Sequence, residues 1–202
     1  MRQVFVVLVL LVCAPPGAAQ NPTASFGPSG YGQNFDILRQ NQANQTAMPG
    51  VLNRVDLAPF TAVAAPNALT GWRWRQGGTQ TAFSRDNGST ATGQGYSYGN
   101  NFNDNEAALG NVAGSLNANT YFGVILRNNT GAAVSSVVVS YVGEQWRSGG
   151  RGDGTADGLQ FGYALTSNEL PNTFGATTVP ALDFASPGWP GRSTATSTRT
   201  AP

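Results

Sequence analysis

Glu144-Gln145-Trp146-Arg147 sets a carboxylate, an amide, an indole and a guanidinium side by side at the end of an apolar run. An indole can stack on the C–H face of a sugar ring while neighbouring polar groups bind its hydroxyls. Glu144, Trp146 and Arg147 are therefore the candidate ligand-binding residues, with carbohydrate or a cell-surface polymer as the candidate partner. The competing reading places Trp146 at the closing end of a core, the usual fate of tryptophan, with Glu144 and Arg147 in solvent.

Asp153 and Asp157 follow in the glycine-rich string GGRGDGTADG. Two carboxylates so spaced could join backbone carbonyls around Ca²⁺. The spacing is not that of an EF-hand loop, and an ordinary polar loop accommodates the same residues. No other cofactor is expected. Asp104 with Glu106, or Glu144 with Asp157, would suit glycoside hydrolysis if they met in space, since that chemistry needs a carboxyl on each side of the scissile bond. Scattered surface acids fit the same positions.

Composition narrows the chemistry further. The chain has no His, and all eleven of its basic residues are Arg. Histidine is the commonest general base and the commonest metal ligand. Serine–histidine triads, histidine metal sites and zinc-protease helices are thereby excluded. Basic and acidic residues nearly balance, eleven against ten, which leaves no electrostatic footprint for nucleic acid. Charged residues are 10% of the chain, so Ser, Thr, Asn and Gln must supply most of its polar exterior.

The elements that must hold these groups read as strands. Tyr121 to Asn128 places Phe122, Val124 and Leu126 on one face. Val134 to Trp146 places Val137, Val139 and Tyr141 on one face and Val138 and Val142 on the other. Leu159, Phe161, Tyr163 and Leu165 alternate strictly with Gln160, Gly162 and Ala164, which predicts a strand with the larger residues inward. The Asn-Asn-Thr-Gly turn at 128–131 between the first two runs predicts a hairpin. Thr70 to Arg75 sets Trp72 and Trp74 against Arg73 and Arg75 on opposite faces, and Gln80 to Ser84 is expected to pair with it. Gln33 to Leu38 reads as a first strand. Asp86 to Asn105 reads as a loop carrying Tyr96 and Tyr98, and Glu106 to Gly110 as one helical turn or a short strand. The fold class is all-β, an antiparallel β-sandwich.

Residues 1–19 read as an export signal: Arg2, an apolar run from Val4 to Ala14, then small residues ending at Ala19. The run has about 11 residues, short of the roughly 20 needed to span a bilayer, so no membrane span is expected after processing. Cys13 lies inside it and is the only cysteine, so the mature chain is expected to lack disulfides. Residues 20–32 are expected to be a flexible leader, 33–187 the β-sandwich domain, and 188–202 a disordered tail.

The strings QNFDIL (from Gln33), LTGW (from Leu69), NEAALG (from Asn105), FGVILRNNTG (from Phe122), VSYVGEQWRSGG (from Val139), LQFGYAL (from Leu159) and ALDFASP (from Ala181) occur in this order over most of the chain. Together they resemble a group of uncharacterised secreted bacterial domains with jelly-roll-like β-sandwich folds. Such domains occur in PEP-CTERM or type IX sorted surface proteins. The resemblance implies a jelly-roll-like fold and a secreted or cell-surface location, and brings no catalytic residues. Family members continue past the Leu-Asp-Phe string with LDGN…ANRT and closing strands. Here Arg192 to Ala201, with the first two bases of the Pro202 codon, can be encoded so that the next reading frame gives LDGNKHANRT, so the chain is expected to be truncated or frameshifted and to lack those strands. The expected function is a secreted, non-enzymatic surface, matrix or carbohydrate-contact module. The alternatives are an extracellular paired-carboxylate hydrolase and a non-functional truncated product.

Overall fold

Period-two runs of β-branched and aromatic residues make strands because successive side chains face opposite sides. The computed structural model describes residues 4–11, 23–36, 54–56, 69–76, 83–99, 107–112, 120–147, 157–165, 177–186 and 194–201. They form an all-β protein. In chain order the strands are β1 (Val4–Leu11), β2 (Ala24–Phe26), β3 (Arg54–Asp56), β4 (Trp72–Gln76), β5 (Phe83–Asp86), β6 (Gln94–Tyr98), β7 (Ala108–Val112) and β8 (Thr120–Asn128). They continue with β9 (Val137–Glu144), β10 (Gly158–Leu165), β11 (Thr177–Thr178), β12 (Phe184–Ala185) and β13 (Thr194–Ala201). A 3-10 turn at Pro180–Leu182 separates β11 from β12. Among the described residues no helix is long and apolar enough to cross a membrane.

Three sheets result. The main sheet has eight strands in the order β11-β10-β1-β8-β4-β3, with β12 also on β10 and β2 also on β8. β5, β6 and β7 form a second sheet, and β9 and β13 a third. β8 is the centre of the main sheet. Its residues Thr120 to Leu126 are all buried, on both faces. One edge of β8 carries β1; the other carries β4 and then β2.

That occupancy explains why the expected hairpin is not formed. With both edges of β8 taken, β9 pairs with β13 instead. The Asn-Asn-Thr-Gly turn carries the chain from one sheet into another. Asn128 Oδ1 still organises it, accepting from Thr130 N–H at 3.0 Å and from Thr130 Oγ1 at 2.7 Å, and Gly131 supplies the positive φ of 81°.

Other expectations also change. The pairings are not all antiparallel: β1 runs parallel to β8 and β10, β2 parallel to β8, and β5 parallel to β6. β5 pairs with β6 and leaves β4 to β3 and β8. Gln33 to Phe35 form no strand, because side chains capture the backbone: Gln33 Oε1 accepts from the N–H groups of Asn34 and Phe35, both at 3.1 Å. Such local bonds compete with a ladder. Tyr96 and Tyr98 lie in β6 rather than in a loop, both buried. Glu106 and 37–38 lie outside the described residues, while Ala108–Val112 takes the strand alternative. Leu165 is 65% exposed rather than inward, where β10 ends. Three segments expected to be removed or loose also contain strands: β1 within 1–19, β2 within 20–32 and β13 within 188–202.

The core follows the pattern of the sequence. Leu69, Trp74, Ala107 and Phe122 form a buried cluster, with Phe35, Trp72, Leu109 and Leu159 against it. Trp72 also packs against a second cluster of Ala24, Val124 and Leu126, and its Nε1–H donates to the Tyr31 hydroxyl at 2.6 Å. β9 lies over β10, where the Tyr141 and Phe161 rings stack with centroids 6.2 Å apart.

Candidate functional site

The three sheets meet around a cavity of about 370 Å³. Its floor is the edge of the core: Phe35, Trp72, Leu109, Phe122 and Leu159. Its rim is polar: Asn111 from β7, Glu144, Gln145 and Arg147 at the end of β9, and Asp157 and Ser186 beside β10 and β12. The cavity is therefore amphipathic, its lining divided between apolar and hydrogen-bonding side chains.

β9 delivers the rim. Its ladder ends at Glu144, and the chain turns out of the sheet through Gln145 to Arg147. The Trp146 indole N–H donates to Glu144 Oε2 at 2.8 Å, which fixes the ring. Trp146 then stacks on Tyr98 of β6, with centroids 5.8 Å apart and planes 9° from parallel. Gln145 Nε2 donates to the Arg147 carbonyl at 3.2 Å. Arg147 Nη1 donates to the Ser89 carbonyl at 2.8 Å.

Behind the rim stands the loop after β5. The Asp86 carboxylate accepts from Gly88 N–H, from the Ser89 hydroxyl and from both the N–H and hydroxyl of Thr90. Burial first, and then the negative charge of Asp86, hold the Tyr98 phenol far above its ordinary value; Arg147 opposes this only in part. Tyr96 is raised by the same two causes in the same order. Both phenols therefore remain neutral donors at physiological pH.

Phe35 in the floor has φ of 64°, a left-handed conformation that a bulky residue adopts only under constraint. The constraint is visible. Asp36 Oδ1 accepts from Ala107 N–H at 3.3 Å, and the Phe35 ring meets Trp72 edge-on at 4.6 Å.

Glu144, Trp146 and Arg147 thus come together, and Asp157 joins them on the same cavity. Asp153, Asp104 and Glu106 lie outside the described residues. The Asp157 carbonyl accepts from Ser186 N–H at 2.7 Å, and its side chain is exposed. Among the described residues no group of three or more His, Cys, Asp or Glu stands together as metal ligands. The residues missed by sequence reasoning are Phe35, Tyr98 and Asn111. Tyr-Ser-Tyr alternation at 96–98 was a signal for the second; nothing local marks the third.

Fold and site define an all-β protein with an aromatic-walled, polar-rimmed cleft where three sheets meet. No protein family, no curated protein and no solved structure matches the chain.

Proposed function

We propose that the chain is a secreted, non-enzymatic binding module that holds carbohydrate of a surface or matrix polymer in this cleft. The observation that carries the reading is the stacked Trp146–Tyr98 pair on a cavity whose rim bears amide and charged groups. A flat aromatic wall accepts the C–H face of a sugar and excludes water, while few polar groups suffice to orient hydroxyls. The volume lies within the usual range for small-ligand sites, about 300–1,000 Å³. Export is supported by the apolar, small-residue-terminated sequence of residues 1–19.

Retardation of the protein in gels containing a panel of polysaccharides tests the proposal. At least one neutral polymer is expected to retard it. Trp146→Ala is expected to weaken that retention about tenfold, equivalent to ~1.4 kcal/mol. A wild-type protein that migrates freely past every polymer would overturn the reading. A second reading, hydrolysis by paired carboxylates, is favoured by one observation: Glu144 and Asp157 line the same cavity. It requires the retained polymer to be cleaved, with cleavage lost in Glu144→Gln and in Asp157→Asn.

A further inference from the structure

The geometry points to Asn87 as a self-modifying residue: Asp86 and Ser89 promote its cyclisation onto the Gly88 nitrogen, and the product loosens the rim of the cleft. This stands apart from the carbohydrate reading. Asn87-Gly88 is the one Asn-Gly step in the chain, and glycine places no side chain in the way of ring closure. Asn87 is exposed, so water reaches it. Its Oδ1 accepts from Ser89 N–H at 3.1 Å. That bond closes an Asx turn, which folds the side-chain carbonyl back over the Gly88 peptide group. It also supplies a donor to the oxygen on which charge develops. Gly88 N–H in turn donates to Asp86 Oδ2 at 3.1 Å, within the reach of a general base. Asp86 is buried, and the Ser89 hydroxyl and the N–H and hydroxyl of Thr90 hold its carboxylate in place.

The chemistry needs only this loop and one water. Gly88 N bonds to Asn87 Cγ while its proton passes to Asp86. The Cγ–Nδ2 bond then breaks, and Nδ2 leaves as ammonia with the proton that Asp86 returns. Water opens the resulting succinimide at either carbonyl, giving aspartate or isoaspartate. Isoaspartate inserts one extra carbon into the backbone just before Gly88. Gly88 has no room to absorb it, since a Cβ there would already strike the Trp146 carbonyl. The displacement passes to Trp146 and its stack on Tyr98. Two other asparagines serve as internal controls. Asn128 Oδ1 accepts from Thr130 N–H in the same kind of turn, but the Asn129 N–H that follows donates to the Phe26 carbonyl, which is no base. Asn34 Oδ1 accepts from Asp36 N–H, and the intervening Phe35 N–H donates to the Gln33 amide oxygen.

Incubation of the full chain at neutral pH, then digestion and mass spectrometry, reads the exchange of amide for acid at each asparagine. Asn87 is expected to convert while Asn34 and Asn128 stay intact. Its conversion is expected to be faster in the folded chain than in the same chain unfolded in urea, where the Asn-Gly step keeps only its intrinsic rate. Asp86→Asn, of the same shape, is expected to slow it about tenfold or more. Faster conversion in urea would mean that the fold shields Asn87; it would overturn the proposal even if Asp86→Asn failed to fold. An Asp86→Asn chain that folds and converts as fast as the parent would do the same. Converted molecules, separated by their added negative charge, are expected to melt at a lower temperature. An equal melt would remove the link to the rim.

Discussion

Gly88 is the residue on which the rim of the cleft turns. Its φ of 93° is open to glycine and strained for other residues. A Cβ added there would also strike the backbone carbonyl of Trp146. Gly131 has a similar φ of 81°, yet a Cβ on it meets nothing within 4 Å. Comparing the two alanine variants therefore separates backbone strain from contact. Gly131→Ala is expected to lose about 1 kcal/mol of unfolding free energy, and Gly88→Ala roughly 1–3 kcal/mol; urea titration measures both. Only Gly88→Ala should also weaken the proposed carbohydrate binding, since Trp146 must move. At this scale the sequence displays Glu144, Trp146 and Arg147 because they are neighbours along the chain. Asn111 is hidden because its place on the cavity depends on how the sheet of β7 is set against the others, which no local pattern encodes.

β9 is held to the main sheet by Tyr141. The ring stacks on Phe161, and the hydroxyl donates to the Leu182 carbonyl in the 3-10 turn. Burial, and then the charge of Asp183, raise the phenol from 10.0 to about 12. The folded state thus keeps this proton more firmly than the unfolded chain does. Its contribution to stability is complete below pH 10 and is lost as pH rises through about 12. Thermal melts across that window should show a falling midpoint. Tyr141→Phe should begin lower and fall less, because Tyr31, Tyr96 and Tyr98, also raised, still titrate. An equally steep fall in the variant would assign the effect to other groups. The same strand shows how far elements are legible in advance. Val138 and Val142, 67% and 57% exposed, alternate with Val137 and Tyr141 as the period-two pattern requires. Its partner was not legible, because hairpin chemistry specifies a turn and says nothing of whether the edges beyond it are already filled. β6 was obscured for another reason: Gly95 and Ser97 read as loop residues, although each lies buried between strands.

Across the whole molecule, the main sheet depends on β1. Val4 to Leu10 pair with Leu159 to Leu165 on one side, and Phe5 to Leu11 with Tyr121 to Arg127 on the other, all in parallel. These are residues of the segment whose sequence reads as an export signal. If export removes residues 1–19, β8 and β10 stand two strand spacings apart, roughly 9.6 Å, too far for ladder hydrogen bonds of about 2.9 Å. Two unpaired edges are then exposed, running in the same direction and already in register, since Leu126 and Leu165 both lie opposite Leu10. Bare edges of this kind pair with whatever strand is nearest, and here each is nearest to the other. The processed chain is expected to close β8 directly onto β10. Leu126→Cys with Leu165→Cys reads this closure, because a disulfide needs Cα atoms about 4.4–6.8 Å apart. Cys13 is the only native cysteine, so the chain beginning at Gln20 carries no competing thiol, and Cys13→Ser clears the full chain. Mild oxidation should form the intramolecular bond in the shorter chain and leave the full chain reduced. Bond formation at the same rate in both would show that β1 does not separate the two strands in solution.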